Sequence, residues 1–238
     1  MKFSIITVCY NSGKTIRKTF ESVLNQSFTD YEYIVVDGAS KDDTLDIIKE
    51  YVPKFGGRMR YISEPDKGIY DAMNKGIRLA QGEIIGIVNS DDWYETDALE
   101  NVSLKLSDEY DFYYGMVRNV DGSGKEIGVI RNSHNYLKSC GLHHPGCFVT
   151  KEAYEKNGLF SLDYRVFSDY ELMLRFMYNG VRFCSIDAIL SNFTMGGISS
   201  QTPGYEMFAI RHKYGITSRF WYIAEVVVEF VLKRILKR

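Results

Sequence analysis

The sequence has 238 residues, 45% of them hydrophobic and 25% charged, with a formal net charge of −2. That length and apolar share suffice for one large domain with a full core. The near-neutral balance excludes the basic excess of a nucleic-acid-binding chain, so no nucleic-acid partner is expected. From the start, Phe3 to Cys9 is a continuous apolar, β-rich run, the pattern of a strand buried on both faces. Asn11-Ser12-Gly13 turns the chain into a helix whose Ile16, Phe20, Val23 and Leu24 form one apolar stripe. Tyr31 to Val36 is a second strand and ends at Asp37-Gly38. Asp42-Asp43-Thr44 opens a second helix with Leu45, Ile47, Ile48 and Tyr51, and acidic residues at a helix start suit its dipole. Arg58 to Ser63 is a third strand, Ile69 to Ala80 a third helix with Gly82 at its C-terminal cap, and Glu83 to Val88 a fourth strand.

Past residue 110 the rhythm changes. Tyr110 to Val117 and Glu126 to Ile130 read as strands around an Asp121-Gly122-Ser123-Gly124 turn. Lys151 to Asn157 and Ser168 to Asn179 read as helices, Val181 to Ile186 and Ile189 to Thr194 as two late strands. Four cysteines, Cys9, Cys140, Cys147 and Cys184, form no C-x-x-C pair and no zinc spacing. They are expected as reduced thiols, with Cys9 and Cys184 acting as small buried hydrophobes. The N-terminal apolar run is too short for a signal peptide, and no stretch has the roughly 18 uncharged apolar residues of a spanning helix. The expected location is cytoplasmic.

Repeated β-α units specify an α/β fold with a mostly parallel, Rossmann-like sheet flanked by helices. Ligands of such sheets bind beyond the carboxyl ends of the strands. Those ends carry Tyr10-Asn11, Asp37, Glu64-Pro65-Asp66 and Asp91-Asp92, so acids converge on one rim. An Asp-Asp pair alone is nearly always a solvated turn. Directly after an apolar strand it can instead hold a hard divalent cation against a diphosphate. Adjacent residues of an extended chain point opposite ways, which favours Asp92 for the metal and Asp91 for a ribose or a water of the ion's shell. No G-x-G-x-x-G follows the first strand and no P-loop occurs, so strand ends would grip the nucleotide. Asp37 is placed to accept from a base N–H, Tyr10 to stack on the base, and the Val8 backbone to touch it. A plain turn before Gly38 explains Asp37 equally well.

S-I-I-T-V-C-Y-N at 4–11, V-V-D-G-A-S-K-D-D-T at 35–44, S-E-P-D-K-G-I-Y-D-A-M-N-K-G-I at 63–77 and G-E-I-I-G-I-V-N-S-D-D-W-Y at 82–94 occur in one order and spacing. Together they resemble glycosyltransferase family 2 of the bacterial polysaccharide-assembly type. The resemblance implies the GT-A fold, inversion at the anomeric carbon, a nucleoside diphosphate sugar donor, here expected to be UDP-linked, and a divalent cation, Mn or Mg. It puts Asp37 on the base-reading acid, Asp66 on an acidic position of the nucleotide pocket, and Asp91 and Asp92 on the DXD-type motif. Phe167-Ser168-Asp169-Tyr170-Glu171-Leu172-Met173-Leu174-Arg175 is similar to the family's acidic motif at a helix head and places Asp169 on the catalytic base. Many relatives carry Glu-Asp where this chain has Ser168-Asp169. Displacement at the anomeric carbon needs a base beside the incoming hydroxyl, and a helix N-terminus favours an ionised carboxylate.

His143 and His144 line the acceptor site, contact phosphate, or simply pack in a turn; the residues leave these open. Gly196 to Ser200 resembles a segment near the active site that closes over substrates. Residues 1–215 are expected as a single domain, with 1–115 the nucleotide-sugar-binding half and 116–215 the acceptor-binding half. Residues 216–238 are expected as a C-terminal amphipathic helix. Over Phe220 to Arg238 it carries apolar Trp221, Ile223, Val227, Phe230, Val231 and Ile235 and ends on Lys233, Arg234, Lys237 and Arg238. That suits peripheral contact of 217–238 with the inner face of the cell membrane, near a polyprenyl-linked or glycan acceptor. Packing on the domain, or on a second subunit as a homodimer, suits it as well. A nucleotidyltransferase is the competing enzyme, although Asn11-Ser12-Gly13-Lys14 poorly matches its triphosphate loop. A non-catalytic nucleotide- or glycan-binding module is the third reading.

Overall fold

The structure is a computed structural model that describes residues 1–196 and 205–218. The first half folds as β1 (Phe3–Cys9), α1 (Ile16–Leu24), β2 (Tyr31–Asp37), α2 (Thr44–Tyr51), β3 (Met59–Ser63), α3 (Ile69–Leu79) and β4 (Ile84–Ile87). β1 pairs in parallel with β2 and β4, and β2 with β3. Both faces of these strands are covered, and side chains alternate between two apolar layers. Ile6, Val8, Ile34 and Val36 join α3 in one layer. Phe3, Ile5, Tyr33 and Val35 join α1 and α2 in the other.

The second half adds β5 (Trp93–Tyr94), α4 (Ala98–Ser103), β6 (Phe112–Val120), β7 (Glu126–Ile130), β8 (Cys147–Thr150), α5 (Lys151–Asn157), α6 (Ser168–Tyr178), β9 (Phe183–Thr194) and α7 (Tyr205–Lys213). The sheet order is β3-β2-β1-β4-β8-β6-β9-β5, with β7 paired to β6. β8 is antiparallel to both β4 and β6, and β6 is parallel to β9. β6 and β9 therefore run in the same direction as β1 to β4. Their carboxyl ends share one rim, and β8 begins at that rim.

Three expectations change. The two late strands are one strand, β9, because residues 183–194 stay paired to β6 through two register shifts that bulge the chain near Asp187. Gly82 does not cap α3, whose last residue is Leu79 and whose C-cap is Ala80. Instead a Cβ on Gly82 would sit 2.5 Å from the Phe3 carbonyl carbon, so the glycine permits close approach to β1. Cys184 is half-exposed rather than buried, whereas Cys9 is buried and all four thiols are free. No helix among the described residues is long and apolar enough to cross a membrane. The segment 197–200 and the expected helix from Phe220 onward lie outside the described residues.

Candidate active site

One end of the rim is built on β1, β2 and β3. Asp37 closes β2 opposite Cys9 and Ser63 in the register, and it is fully buried. Ser63 Oγ donates to Asp37 Oδ2 at 2.6 Å, the Ser40 amide donates to Oδ2 at 3.2 Å, and Ser40 Oγ donates to Oδ1. Three hydroxyl and amide contacts thus fix the carboxylate's orientation. Asn11 and Ala39 follow β1 and β2 with φ of 52° and 59°, a conformation that costs a non-glycine residue about 1 kcal/mol or more. The two loops brace each other: Asn11 N–H donates to Ser40 Oγ, and Lys41 N–H donates to Asn11 Oδ1, both at 2.8 Å. A Cβ on Gly38 would meet the tip of the Asp66 carboxylate and lie 3.4 Å from the Tyr10 ring, so Gly38 packs between these two side chains. Tyr10, 60% exposed, Asp37 and Asp66 therefore surround one spot. Val8 is buried in β1 and has only its backbone to offer that spot.

The acidic turn after β4 is tied on both sides. Thr19 Oγ1 in α1 donates to the Asp92 carbonyl at 2.7 Å. At the end of β9 the Thr194 amide donates to Asp92 Oδ1 at 2.9 Å, and Thr194 Oγ1 donates to the Asp91 carbonyl at 2.6 Å. Ser12 and Ser90 share a hydroxyl hydrogen bond of 2.7 Å. Asp92 is enclosed, whereas Asp91 is half-buried. Burial, then the neighbouring Asp91 charge, holds the Asp92 carboxyl well above the usual carboxylate range; burial also raises Asp91. The second Asp92 oxygen has only the Asn89 amide, at 3.5 Å, among the described residues.

Asp169 stands in the first turn of α6, on the face that α3 covers. Tyr170 N–H donates to its Oδ1 at 2.8 Å, and Tyr70 Oη from α3 approaches the same oxygen at 3.2 Å. Burial outweighs these bonds and pushes the carboxyl up to about 6. The helix N-terminus thus does not keep it at an ordinary value. Asp169 and His144 line one cavity of about 20 Å³, together with Cys147, Tyr154 and apolar Ile87 and Phe112. His144 precedes β8 and His143 precedes it in turn, so both stand at the rim. Burial keeps both imidazoles neutral, pushing His144 down to about 4 and lowering His143. His143 stacks edge-on against Phe193, and its Nδ1 lies 3.4 Å from Asn132 Nδ2.

The rim therefore gathers Tyr10, Asp37, Asp66, Asp91 and Asp92 on strand ends, with Asp169, His143 and His144 supplied by the second half. Thr19, Ser40, Ser63, Tyr70 and Thr194 hold these groups and carry no signal in composition or spacing. Ser63 and Tyr70 do fall inside the 63–77 motif, and Ser40 inside the 35–44 motif.

The model of glycosyl transferase family 2 matches residues 4–168. A PGL/p-HBAD biosynthesis glycosyltransferase of Mycobacterium tuberculosis is 31% identical over 180 residues, covering 74% of this chain and 70% of the relative. Chondroitin synthase of Escherichia coli is 32% identical over 203 residues, 82% of this chain but 29% of that protein. Among solved structures, S. aureus TarS 1–349 in complex with UDP-GlcNAc superposes with a TM-score of 0.75 at 21% identity, over 94% of this chain and 69% of that one. A mannosyltransferase from Pyrobaculum calidifontis, in complex with GDP-Man and Mn2+, gives 0.66 at 19% identity, over 88% and 60%.

Proposed function

The chain belongs to glycosyl transferase family 2 and has its GT-A fold, and from that premise we propose an inverting transfer of a hexosyl unit from a UDP-linked sugar to an acceptor hydroxyl. The acceptor we infer is a lipid-linked or growing cell-surface glycan. One observation carries the reading: a braced carboxylate, Asp37, an enclosed carboxylate, Asp92, and a carboxyl raised to about 6, Asp169, stand on one rim. TarS, a poly(ribitol-phosphate) β-N-acetylglucosaminyltransferase solved with UDP-GlcNAc and with UDP, supports a uridine donor and a polymer acceptor.

Asp37 accepts from the base N–H, Tyr10 stacks on the base, the Val8 backbone contacts it, and Asp66 closes the pocket. Asp92 would hold a divalent cation, Mn or Mg, with Asp91 turned to the ribose or to a water of the ion's shell. The donor set fits, because Asp92 offers a buried, under-bonded carboxylate oxygen. Among the described residues no three His, Cys, Asp or Glu side chains cluster for a metal, so diphosphate oxygens would complete the shell. When bound, the cation neutralises charge on the departing diphosphate. Asp169 accepts the proton of the acceptor hydroxyl on the face of the sugar opposite the diphosphate. A base raised to about 6 is still mostly ionised at pH 7 and is stronger than an ordinary aspartate. His143 and His144, held neutral, suit acceptor hydroxyls better than phosphate. Peripheral contact of 217–238 with the inner membrane face, and a homodimer, remain parts of this proposal that rest on sequence.

A panel of UDP- and GDP-sugars, with and without Mn2+ or Mg2+, tests the reading by thermal shift and by nucleotide release. A UDP-sugar that stabilises the protein only with cation and is turned over supports it. Release of pyrophosphate from a nucleoside triphosphate would instead identify a nucleotidyltransferase, and cation-dependent binding without turnover a binding module.

A further inference from the structure

Tyr70 Oη carries one proton and faces two acceptors. One is the Val166 carbonyl, to which it donates; the other is Asp169 Oδ1 at 3.2 Å. A single O–H cannot serve both fully. The Val166 peptide is fixed from its other end. Glu206 of α7, buried in the interior, accepts the backbone N–H groups of Arg165 at 3.0 Å, Val166 at 2.9 Å and Phe167 at 3.2 Å. The Tyr70 ring is held by a stacked Phe160 at 5.4 Å. Tyr70 of α3 and Asp169 of α6 thus meet at one shared proton, beside a carbonyl whose peptide Glu206 of α7 anchors.

We propose that Tyr70 is a positioning residue for Asp169, its proton divided between the ionised carboxylate and the Val166 carbonyl that Glu206 anchors. This rests on the reading of Asp169 as the base. When the acceptor's O–H bond breaks, its proton goes to Asp169 and its electron pair to the new glycosidic bond, while the bond from the anomeric carbon to the diphosphate oxygen breaks and its electron pair leaves with the diphosphate. The neutral carboxyl then accepts only weakly, and Tyr70 turns its own proton wholly to Val166 O. Tyr70 stays protonated throughout, and one site accommodates both states of the base without moving backbone. Tyr70 is suited to this because burial and the Asp169 charge hold its phenol well above the ordinary value. The other ionisable groups lining the cavity beside Asp169 are Cys147 from β8, Tyr154 from α5 and His144 before β8. None of these is charged near neutrality, since burial raises the thiol and the phenol and lowers the imidazole.

The test needs no donor or acceptor. In protein labelled with 13C at aspartate carboxyl carbons, the Asp169 signal is identified by its loss in Asp169→Asn, and its midpoint is followed against pH. Tyr70→Phe should raise that midpoint by about half a pH unit or more. Tyr70→Phe keeps the ring and its packing, so a merely structural role for Tyr70 predicts no change. An unchanged midpoint overturns the proposal. If Tyr70→Phe does not fold, the wild-type Tyr70 Cζ resonance serves. It should step at the Asp169 midpoint, without tyrosine deprotonation, and lose that step in Asp169→Asn; a flat Cζ resonance overturns the proposal equally. Retained transfer by Asp169→Asn would remove the base role while leaving these titrations interpretable.

Discussion

At Asp169 two influences oppose each other: the head of α6 favours the charged carboxylate, and an apolar surround disfavours it. Desolvation prevails and leaves the group raised to about 6. Two consequences of different sign follow. The proposed base role uses the ionised form, so kcat should climb as pH rises through about 6 and level off above it, measured as a pH–rate profile. Folding favours the protonated form. A carboxyl raised in the folded state adds stability that is full below the ordinary value and is lost as pH rises through the folded value. The wild type should therefore lose stability between pH values of about 4 and 6 relative to Asp169→Asn, in paired urea titrations. The same variant should lower transfer by about 100- to 10,000-fold while UDP-sugar affinity stays within about twofold. A comparable loss of affinity would move Asp169 out of the base role and into donor binding.

At the scale of elements, the strands and helices up to β4 were legible because each carries a clear pattern. β1 and β2 are mostly apolar runs, and α1, α2 and α3 carry apolar stripes. β8 was not legible: four residues, Cys147–Thr150, that lie antiparallel between β4 and β6 give no run or period of their own. β5, two residues long, is defined by pairing to Asn192 and Ser191 rather than by composition. The rim acids were readable from their places at strand ends, whereas Thr194, Tyr70 and Glu206 act through backbone contacts that only the folded chain creates. Gly82 shows the same limit. Its position after a helix suggested a cap, but its function is spacing. Added bulk there meets the Phe3 carbonyl carbon at 2.5 Å and the Ser4 nitrogen at 2.6 Å, backbone atoms that cannot rotate away. Gly82→Ala should therefore cost about 1–3 kcal/mol of stability, read from denaturant midpoints, with little change in donor affinity. Gly122, where an added Cβ meets nothing within 4 Å, is the matched control and should tolerate alanine far better.

At the scale of the molecule, the reversed strand β8 is what makes one site from two halves of the chain. It joins β4 to β6, so that β6 and β9 point the same way as β1 to β4 and end beside them. The acidic turn after β4 is consequently held by α1 through Thr19 and by the end of β9 through Thr194. A ligand seated on that turn is gripped by elements far apart in sequence and should stabilise the whole fold. For one site, free ligand at 100 times its Kd adds about 2.7 kcal/mol, which in a chain of this size corresponds to roughly 5–10 °C in Tm. A UDP-sugar with Mn2+ should reach that range in differential scanning fluorimetry. Asp92→Asn should remove the part of the shift that depends on cation and leave a smaller part from Asp37 and Tyr10. Asp37→Asn should remove most of the remainder. A full cation-dependent shift in Asp92→Asn would put the ion elsewhere, and the diphosphate with it.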